Sequence, residues 1–298
     1  MDSVGIDHCL VNPGGYWQGL EFLTDVRGAA AARCNDYLAE QLEDGQHRLH
    51  GTAVLDLSDL PAAARELERA RGLGFRAFFL YTLSGRPPGD VPPGHPDWDA
   101  VWSAATDLGM VAVVHIGNTS ADFTGWADIG WDLEGGAGIG GLARLANTRR
   151  EMTAQNLLIS MLYGGTFARH PLLTVILEEM RIGWFPDFVR SLEARSMSSS
   201  ALGPWPWERS GSEMLHSCVR ITPLPGLGDL QALEVVGELP DMCLFSSDYP
   251  HMEGSADPIN LYRPDLDELD EEVRVAFLGN NAVECFTRMG DPLILGQL

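Results

Sequence analysis

Short apolar runs alternate with amphipathic segments along most of the chain. The runs have the length of β-strands, and turn residues or helical patterns follow them. The predicted strands are Val4–Val11, Gly51–Leu57, Phe75–Leu83, Met110–Ile116, Leu172–Leu177, Leu215–Ile221 and Asp241–Ser247. Several of these runs are continuously apolar, which is typical of parallel strands that are buried on both faces.

The segments between the strands have helical spacing. The predicted helices are Asp25–Leu42, Pro61–Gly74, Asp97–Gly109 with Asp97 as its cap, Leu142–Tyr163, a helix beginning over Pro186–Glu193, Asp229–Leu239 and Leu266–Arg288. Alternating strands and helices predict an α/β fold, and seven β-units favour a (β/α)8 TIM-type barrel, lacking one strand, over an open doubly wound sheet. No internal repeat or linker interrupts the chain, so we expect a single domain over residues 1–298.

Composition and charge exclude several classes of function. The formal net charge of −22 argues against a nucleic-acid or anionic-membrane partner, because phosphate binding needs a cationic surface. No run reaches about 18 apolar residues, so no membrane span is expected. All 20 basic residues are arginine. The absence of lysine rules out a Schiff-base lysine, a P-loop lysine and a carbamylated lysine that bridges two metals.

The five cysteines are dispersed, odd in number and without a C-x-x-C pair. This pattern argues against a disulfide framework or a zinc knuckle and predicts a reducing, cytoplasmic location. The N-terminal segment has no basic residue before Arg27 and no apolar core, so we expect no signal peptide.

The richest candidate chemistry follows the last predicted strand. That strand ends at small hydroxyl residues, and Asp248, His251 and Glu253 come directly after it. Because active sites of parallel α/β proteins form at the carboxyl ends of strands, Asp248 is the anchor of the predicted site. His251 either shapes the loop or bonds a ligating carboxylate.

Two further strands end in groups that can bind metal or move protons. His115 ends the fourth strand; a buried core histidine is the alternative, but its position at the same end as Asp248 favours a metal ligand. Glu178 and Glu179 end the fifth strand. Neighbouring strand residues point to opposite faces, so at most one of these carboxylates should face the interior. Glu179 is the favoured one, as a metal ligand, a general base or a group that orients water. The alternative is a solvated strand end.

A glycine-rich segment, Gly136–Gly141, matches the dinucleotide-binding pattern G-x-G-x-x-G. The segment before it is polar and interrupted by glycine, so it does not have the strand that this pattern requires. No G-x-S-x-G elbow is present either. We therefore expect neither a nucleotide cofactor nor a serine hydrolase.

The resemblance to a known family rests on four segments: VVHIGN, RHPLLTVILEEMRIGWFPDFVRSLE, FSSDYPHMEG and FLGNNAVECF. In these, and along almost the whole chain, the sequence resembles amidohydrolase-related proteins of the amidohydrolase superfamily, in the branch of aminocarboxymuconate-semialdehyde decarboxylase and γ-resorcylate decarboxylase. The resemblance implies a (β/α)8 barrel with one divalent metal ion, zinc ahead of manganese. It implies His115 and Asp248 as metal ligands, with Asp248 also handling protons.

Two features depart from the family pattern. Members begin with a strand that carries a D-x-H-x-x-E or H-x-H motif, whereas Met1–Asp7 resembles a segment after that strand. The expected consequences are an open sheet edge and weaker metal binding. Glu179 stands where the decarboxylases typically carry a catalytic histidine, which weakens the transfer of their mechanism.

The sequence therefore predicts a metal-dependent carboxy-lyase or hydrolase acting on a small carboxylate-bearing or cyclic organic substrate. The predicted catalytic residues are Asp248, Glu179 and His251. Non-oxidative decarboxylation and hydrolysis both fit, and a homodimer is left open. The alternative is a non-catalytic or degenerate barrel that serves as a binding or scaffold protein.

Overall fold

A computed structural model of the chain describes residues 1–14, 20, 23–45, 47–82, 87–116, 151–198, 203–224, 229, 232–251 and 254–293. Within these residues, six parallel strands form one sheet, in which neighbours in the chain are neighbours in space. The strands are β1 (Cys9–Val11), β2 (Leu49–Ala53), β3 (Ala77–Thr82), β4 (Val111–Ile116), β5 (Val175–Glu178) and β6 (Val219–Ile221).

Helices connect and cover the strands. They are α1 (Arg27–Leu42), α2 (Leu60–Gly72), α3 (Asp99–Leu108), α4 (Glu151–Tyr163), α5 (Thr166–Arg169), α6 (Phe185–Met197), α7 (Gly211–Cys218), α8 (Ala232–Glu238), α9 (Pro258–Leu266), α10 (Glu271–Val275) and α11 (Asn281–Arg288), with a π-helical segment, Ala276–Asn280, between the last two. None of the helices in the described part of the chain has the length and apolarity to cross a membrane.

The sheet is curled. The Asn12 side chain, one residue beyond β1, donates a hydrogen bond from Nδ2 to Glu178 Oε2 at the end of β5, at 2.6 Å. In a flat sheet these strands would be four spacings apart, about 19 Å. The contact therefore crosses the inside of a partial barrel, and the predicted TIM-barrel class is confirmed.

The seventh predicted strand, Asp241–Ser247, forms only a single parallel bridge, between Ile221 and Cys243. Ile221 N–H donates to Met242 O, and Leu244 N–H donates to Ile221 O, both at 2.9 Å. The buried Asn281 amide donates to Cys243 O at 2.9 Å from the other side. The segment is thus held at the position of the next strand beside β6.

The predicted sixth strand, Leu215–Ile221, is wrong over its first half. Residues up to Cys218 belong to α7, and only the last three form β6. The helix is nucleated by a capping box, in which the Ser210 hydroxyl accepts from Glu213 N–H and the Glu213 carboxylate accepts from Ser210 N–H. This local signal outweighs the β-propensity of the apolar residues that follow.

Two other helix predictions need correction. Asp97 does not cap α3, because a 3-10 turn, Pro96–Trp98, comes first and the His95 ring accepts from Asp97 N–H. The single helix predicted over Leu266–Arg288 is divided, and its π-helical segment places Phe277 O to accept from Phe245 N–H at 3.1 Å.

The core lies between the sheet and its helices. The β4 residues Val111, Ala112, Val113 and Val114 are fully buried, as expected for a strand covered on both faces. Several predictions lie outside the described residues: the loop over 117–141 with its glycine-rich segment, the start of the helix over 142–150, and Glu253.

Candidate metal centre

The candidate site lies at the carboxyl ends of β4 and β5 and in the loop that follows the Cys243 bridge. It consists of four side chains that the sequence analysis singled out, named here the carboxylate–imidazole cluster: His115, Glu179, Asp248 and His251. Parallel strands bring their carboxyl ends to one edge, which explains why residues so distant in sequence meet.

His115 is positioned by β4. In the parallel register it stands opposite Tyr81 of β3 and Glu178 of β5. The Phe79 ring packs against the imidazole with a centroid distance of 5.4 Å. This packing limits the ring orientations, and His115 Nε2 lies 3.2 Å from Glu179 Oε1.

Glu179 reaches His115 because its backbone leaves the strand. Its φ of 58° is left-handed, so the alternation of strand side chains no longer applies to it. Glu178 remains in β5 and points inward, where it meets Asn12. The expectation that at most one of the two carboxylates faces the interior is therefore wrong.

Asp248 also has a left-handed backbone, with φ of 48°. Its carbonyl accepts from His251 N–H at 2.9 Å, and Ser255 N–H closes the loop onto Ser247 O at 3.0 Å. A side chain at Gly254 would overlap the Asp248 carbonyl oxygen, so this close approach requires glycine. The loop is built to fix the direction of one carboxylate.

His251 lies at the rim, with 56% of its side chain exposed. Its Nδ1 is 3.0 Å from Asp248 Oδ1 and 3.6 Å from Glu179 Oε1. Of the two interpretations offered by the sequence, this geometry matches a histidine that bonds a functional carboxylate.

The two adjacent glutamates have opposite electrostatic character. Burial raises the pKa of the Glu178 carboxyl above its ordinary value, against the charge of His115 and the Asn12 hydrogen bond. Burial also acts against ionisation of Glu179. There, the hydrogen bond and charge of His115, the side-chain interaction with Asp248 and the charge of His251 outweigh burial and hold the pKa below its ordinary value.

The donor atoms of the cluster suit a divalent cation. Glu179, Asp248 and His251 each offer a ligand atom, and these atoms lie within 4.8 Å of one another. Carboxylate oxygens and imidazole nitrogens are ligands of both zinc and manganese. The residues present therefore fit a metal ion of this kind.

Other histidines have structural partners away from the cluster. His170 contacts Asp99, and His216 contacts Asp241. Asn12 is not among the site residues predicted from the sequence, although its position directly after the first strand, at the same end as Asp248, is a signal that could have indicated it.

A curled parallel sheet with a carboxylate–imidazole cluster at its carboxyl edge defines a class of metal-dependent barrel enzymes. The amidohydrolase family matches residues 16–288, and the chain belongs to this family. The predicted enzyme class, a metal-dependent carboxy-lyase or hydrolase, is the one that this assignment supports.

Solved structures agree on the fold. The 2,6-dihydroxybenzoate decarboxylase from Rhizobium is 23% identical, over 96% of this chain and 86% of that one, with a TM-score of 0.73. The 5-carboxyvanillate decarboxylase from Sphingomonas paucimobilis is 22% identical, over 96% and 81%, with a TM-score of 0.69. A dihydroxybenzoic acid decarboxylase from Polaromonas, with bound manganese and the inhibitor 2-nitroresorcinol, is 23% identical, over 96% and 83%, with a TM-score of 0.71.

Proposed function

We propose that this chain is a metal-dependent enzyme of the decarboxylase-like branch, acting on a small carboxylate-bearing or cyclic organic substrate. The observation that carries the proposal is the carboxylate–imidazole cluster itself, in which four residues from three strand ends meet at the carboxyl edge of the sheet. The decarboxylase names of the structural relatives support the substrate class.

His115 and Asp248 would hold the ion, as the resemblance implies. A divalent ion bound there would lower the pKa of a coordinated water or polarise a substrate oxygen. Zinc is the ion first expected, and the manganese of the Polaromonas relative supports manganese equally well.

Asp248 is the proton-transfer group in this proposal. His251 Nδ1, 3.0 Å from Asp248 Oδ1, orients the carboxylate and exchanges protons with solvent from its exposed position. In decarboxylation, the bond to the carboxyl carbon breaks, carbon dioxide leaves, and the proton from Asp248 takes its place. In hydrolysis, the same carboxylate takes a proton from water, and the resulting hydroxide adds to the substrate carbon. The bond from that carbon to the leaving group then breaks, and the leaving group receives the proton. Glu179, buried between the two histidines, keeps its negative charge next to the reacting centre.

We also propose a single barrel domain over residues 1–298 and a cytoplasmic location. None of the five cysteines forms a disulfide, which agrees with a reducing compartment.

Metal analysis tests the proposal. Purified protein, as isolated and after reconstitution with zinc or manganese, should hold close to one equivalent. Less than about a tenth of an equivalent would refute the enzyme and favour a non-catalytic binding or scaffold protein.

The role of Asp248 has a separate test. D248N should abolish turnover in a panel that contains 2,6-dihydroxybenzoate, 5-carboxyvanillate and simple cyclic esters and amides, while circular dichroism shows an unchanged fold. D241N, the same change at a carboxylate that contacts His216 away from the cluster, is the matched control. Comparable turnover in wild type and D248N would contradict the assigned role, and the product distinguishes decarboxylation from hydrolysis.

A further inference from the structure

We propose that Glu179 is a third protein ligand of the divalent ion, bound through Oε1 between His115 and Asp248. The inference rests on the proposed function, since it adds a ligand to that metal site. It also assigns to Glu179 one of the three roles that its sequence position left open.

The position of Glu179 within the cluster is the first argument. It is 8% exposed, and its Oε1 lies 3.2 Å from His115 Nε2 and 3.6 Å from His251 Nδ1. One of its carboxylate oxygens also lies within 4.8 Å of a carboxylate oxygen of Asp248. Glu179 thus lies near each of the other three members of the cluster, so an ion shared by His115 and Asp248 would lie beside it.

The second argument is the separation of the donor atoms. Two ligands of one ion, each at a bond length of about 2.1 Å, lie about 3.0 Å apart in octahedral geometry and about 3.4 Å apart in tetrahedral geometry. The separation of His115 Nε2 and Glu179 Oε1, 3.2 Å, falls between these values. The same ion can therefore bind both atoms without any change in the distance between them.

His251 differs from Glu179 both in its burial and in the separation of its donor atom from its neighbours. Its Nδ1 is farther from Glu179 Oε1, at 3.6 Å, and its side chain is 56% exposed at the rim. Its shorter contact, 3.0 Å, is with Asp248 Oδ1. The donor atom of His251 also lies within 4.8 Å of those of Glu179 and Asp248, but its exposure and its shorter contact with Asp248 assign it to orienting that carboxylate. The proposed ligand set is His115, Glu179 and Asp248.

This ligand set has chemical consequences. One imidazole nitrogen and two carboxylate oxygens form a harder set than one rich in imidazole, and hard oxygen donors suit manganese better. Glu179 then serves as a ligand, which is one of the three roles that its sequence position left open. Proton transfer is then left to Asp248 with His251.

Metal titration of the apo-protein tests the inference by calorimetry with MnCl2. Wild type should bind about one equivalent, and E179Q should bind at least about tenfold more weakly. E234Q, the same change at an exposed glutamate of α8, is the matched control and should bind within about threefold of wild type. H115A and D248N report on the underlying site.

A second variant separates coordination from loss of charge or fold. E179H replaces the carboxylate by a neutral metal ligand, so it should retain an equivalent of metal and shift the preference from manganese towards zinc. Thermal unfolding of each apo-variant shows whether a weak binder is folded. If E179Q does not fold, E179H still tests the inference.

The outcomes are distinguishable. If E179Q binds manganese as tightly as wild type while H115A and D248N lose it, Glu179 is only an ion-pair partner, and this inference fails while the metal site stands. An E179H protein that is folded but binds neither ion also overturns it. If H115A and D248N bind as wild type does, the proposed site itself is wrong.

Discussion

Asn12 and Glu178 are joined by a hydrogen bond of 2.6 Å across the mouth of the barrel. The bond connects the ends of the first and fifth strands, which have three strands between them in the sheet. Glu178 precedes Glu179 directly, so this contact fixes the backbone from which the central carboxylate of the cluster projects. Burial raises the pKa of the Glu178 carboxyl, and the Asn12 amide is the hydrogen-bond partner that offsets part of this cost.

A double-mutant cycle measures this contact. N12A should lower the free energy of unfolding by about 1–3 kcal/mol, because it leaves a buried carboxyl without its donor. The double variant N12A/E178A should cost less than the sum of the two single changes, by about 1–3 kcal/mol. Urea unfolding followed by circular dichroism gives the four values, and strictly additive costs would show that the contact contributes nothing.

The Asp248 loop should be sensitive to the loss of Gly254. In G254A the added methyl group overlaps the Asp248 carbonyl oxygen, so the loop must move and carry the carboxylate with it. We expect manganese affinity to fall at least about tenfold, measured by calorimetry on the apo-protein.

G72A is the control for this change. Gly72 is the last residue of α2, and a side chain there would meet no atom within 4 Å. Because alanine is the better helix former, G72A should be neutral or stabilise the fold by up to about 1 kcal/mol, with unchanged metal affinity. Equal affinities in G254A and G72A would mean that the loop tolerates the added carbon.

The parts of the fold that could be predicted from sequence are those with a strong local pattern. The apolar run of β4 and the amphipathic spacing of α1 and α2 place these elements within a few residues of their positions in the structure. Residues 215–218 are predicted as part of a strand but belong to α7, because a capping box acts through individual side chains that an apolar pattern does not register.

The residues of the candidate site could be predicted from the sequence, but their arrangement in space could not. His115, Glu179 and Asp248 could be found because each lies at the carboxyl end of a predicted strand. The left-handed backbones of Glu179 and Asp248 could not be predicted, since positive φ is uncommon outside glycine and the sequence does not indicate which glutamate or aspartate adopts it. Such conformations persist because the surrounding contacts hold them, as Gly254 and the His251 amide do for Asp248.

Asn35 of α1 should be one of the most sensitive polar positions of the fold. Its side chain donates to Val54 O at 2.9 Å and accepts from Val54 N–H at 2.8 Å, just beyond β2, and it also donates to Glu66 at 2.7 Å. Asn35 is 1% exposed, so N35A would leave both backbone groups of Val54 buried without partners. We expect a loss of about 2–4 kcal/mol in the free energy of unfolding.

Q41A, on the exposed face of the same helix, is the matched control and should change stability by no more than about 0.5 kcal/mol. If urea unfolding gave equal stabilities for N35A and Q41A, the Asn35 hydrogen bonds would not contribute to the fold.

His50 gives the fold a pH dependence that is separate from the candidate site. The side chain is 3% exposed near the start of β2, where His8 Nδ1 lies 2.9 Å from its Nε2. Burial is the largest cause that lowers the pKa of His50 from 6.5 to about 4, followed by the charges of Arg76 and His8. The charge of Asp291 raises this pKa, and the charge of Arg71 lowers it further. The Asp291 carboxylate contacts Arg71 at 2.9 Å and Arg76 at 3.1 Å. These two ion pairs limit how far Asp291 can stabilise a charged His50 imidazole.

The sign of the effect follows from where the proton binds. Between pH 6.5 and about 4 the unfolded chain binds a proton at His50 that the folded chain does not, so the free energy of unfolding should fall as the pH is lowered through this window. We expect a loss of about 1–2 kcal/mol, since solvent screens part of the arginine charge. H50Q removes the titrating group and should flatten the profile relative to wild type, whereas H47Q, the same change at an exposed position, should not. Urea unfolding at several pH values measures the slopes, and parallel profiles for wild type and H50Q would show that His50 is protonated equally in the folded and unfolded chains.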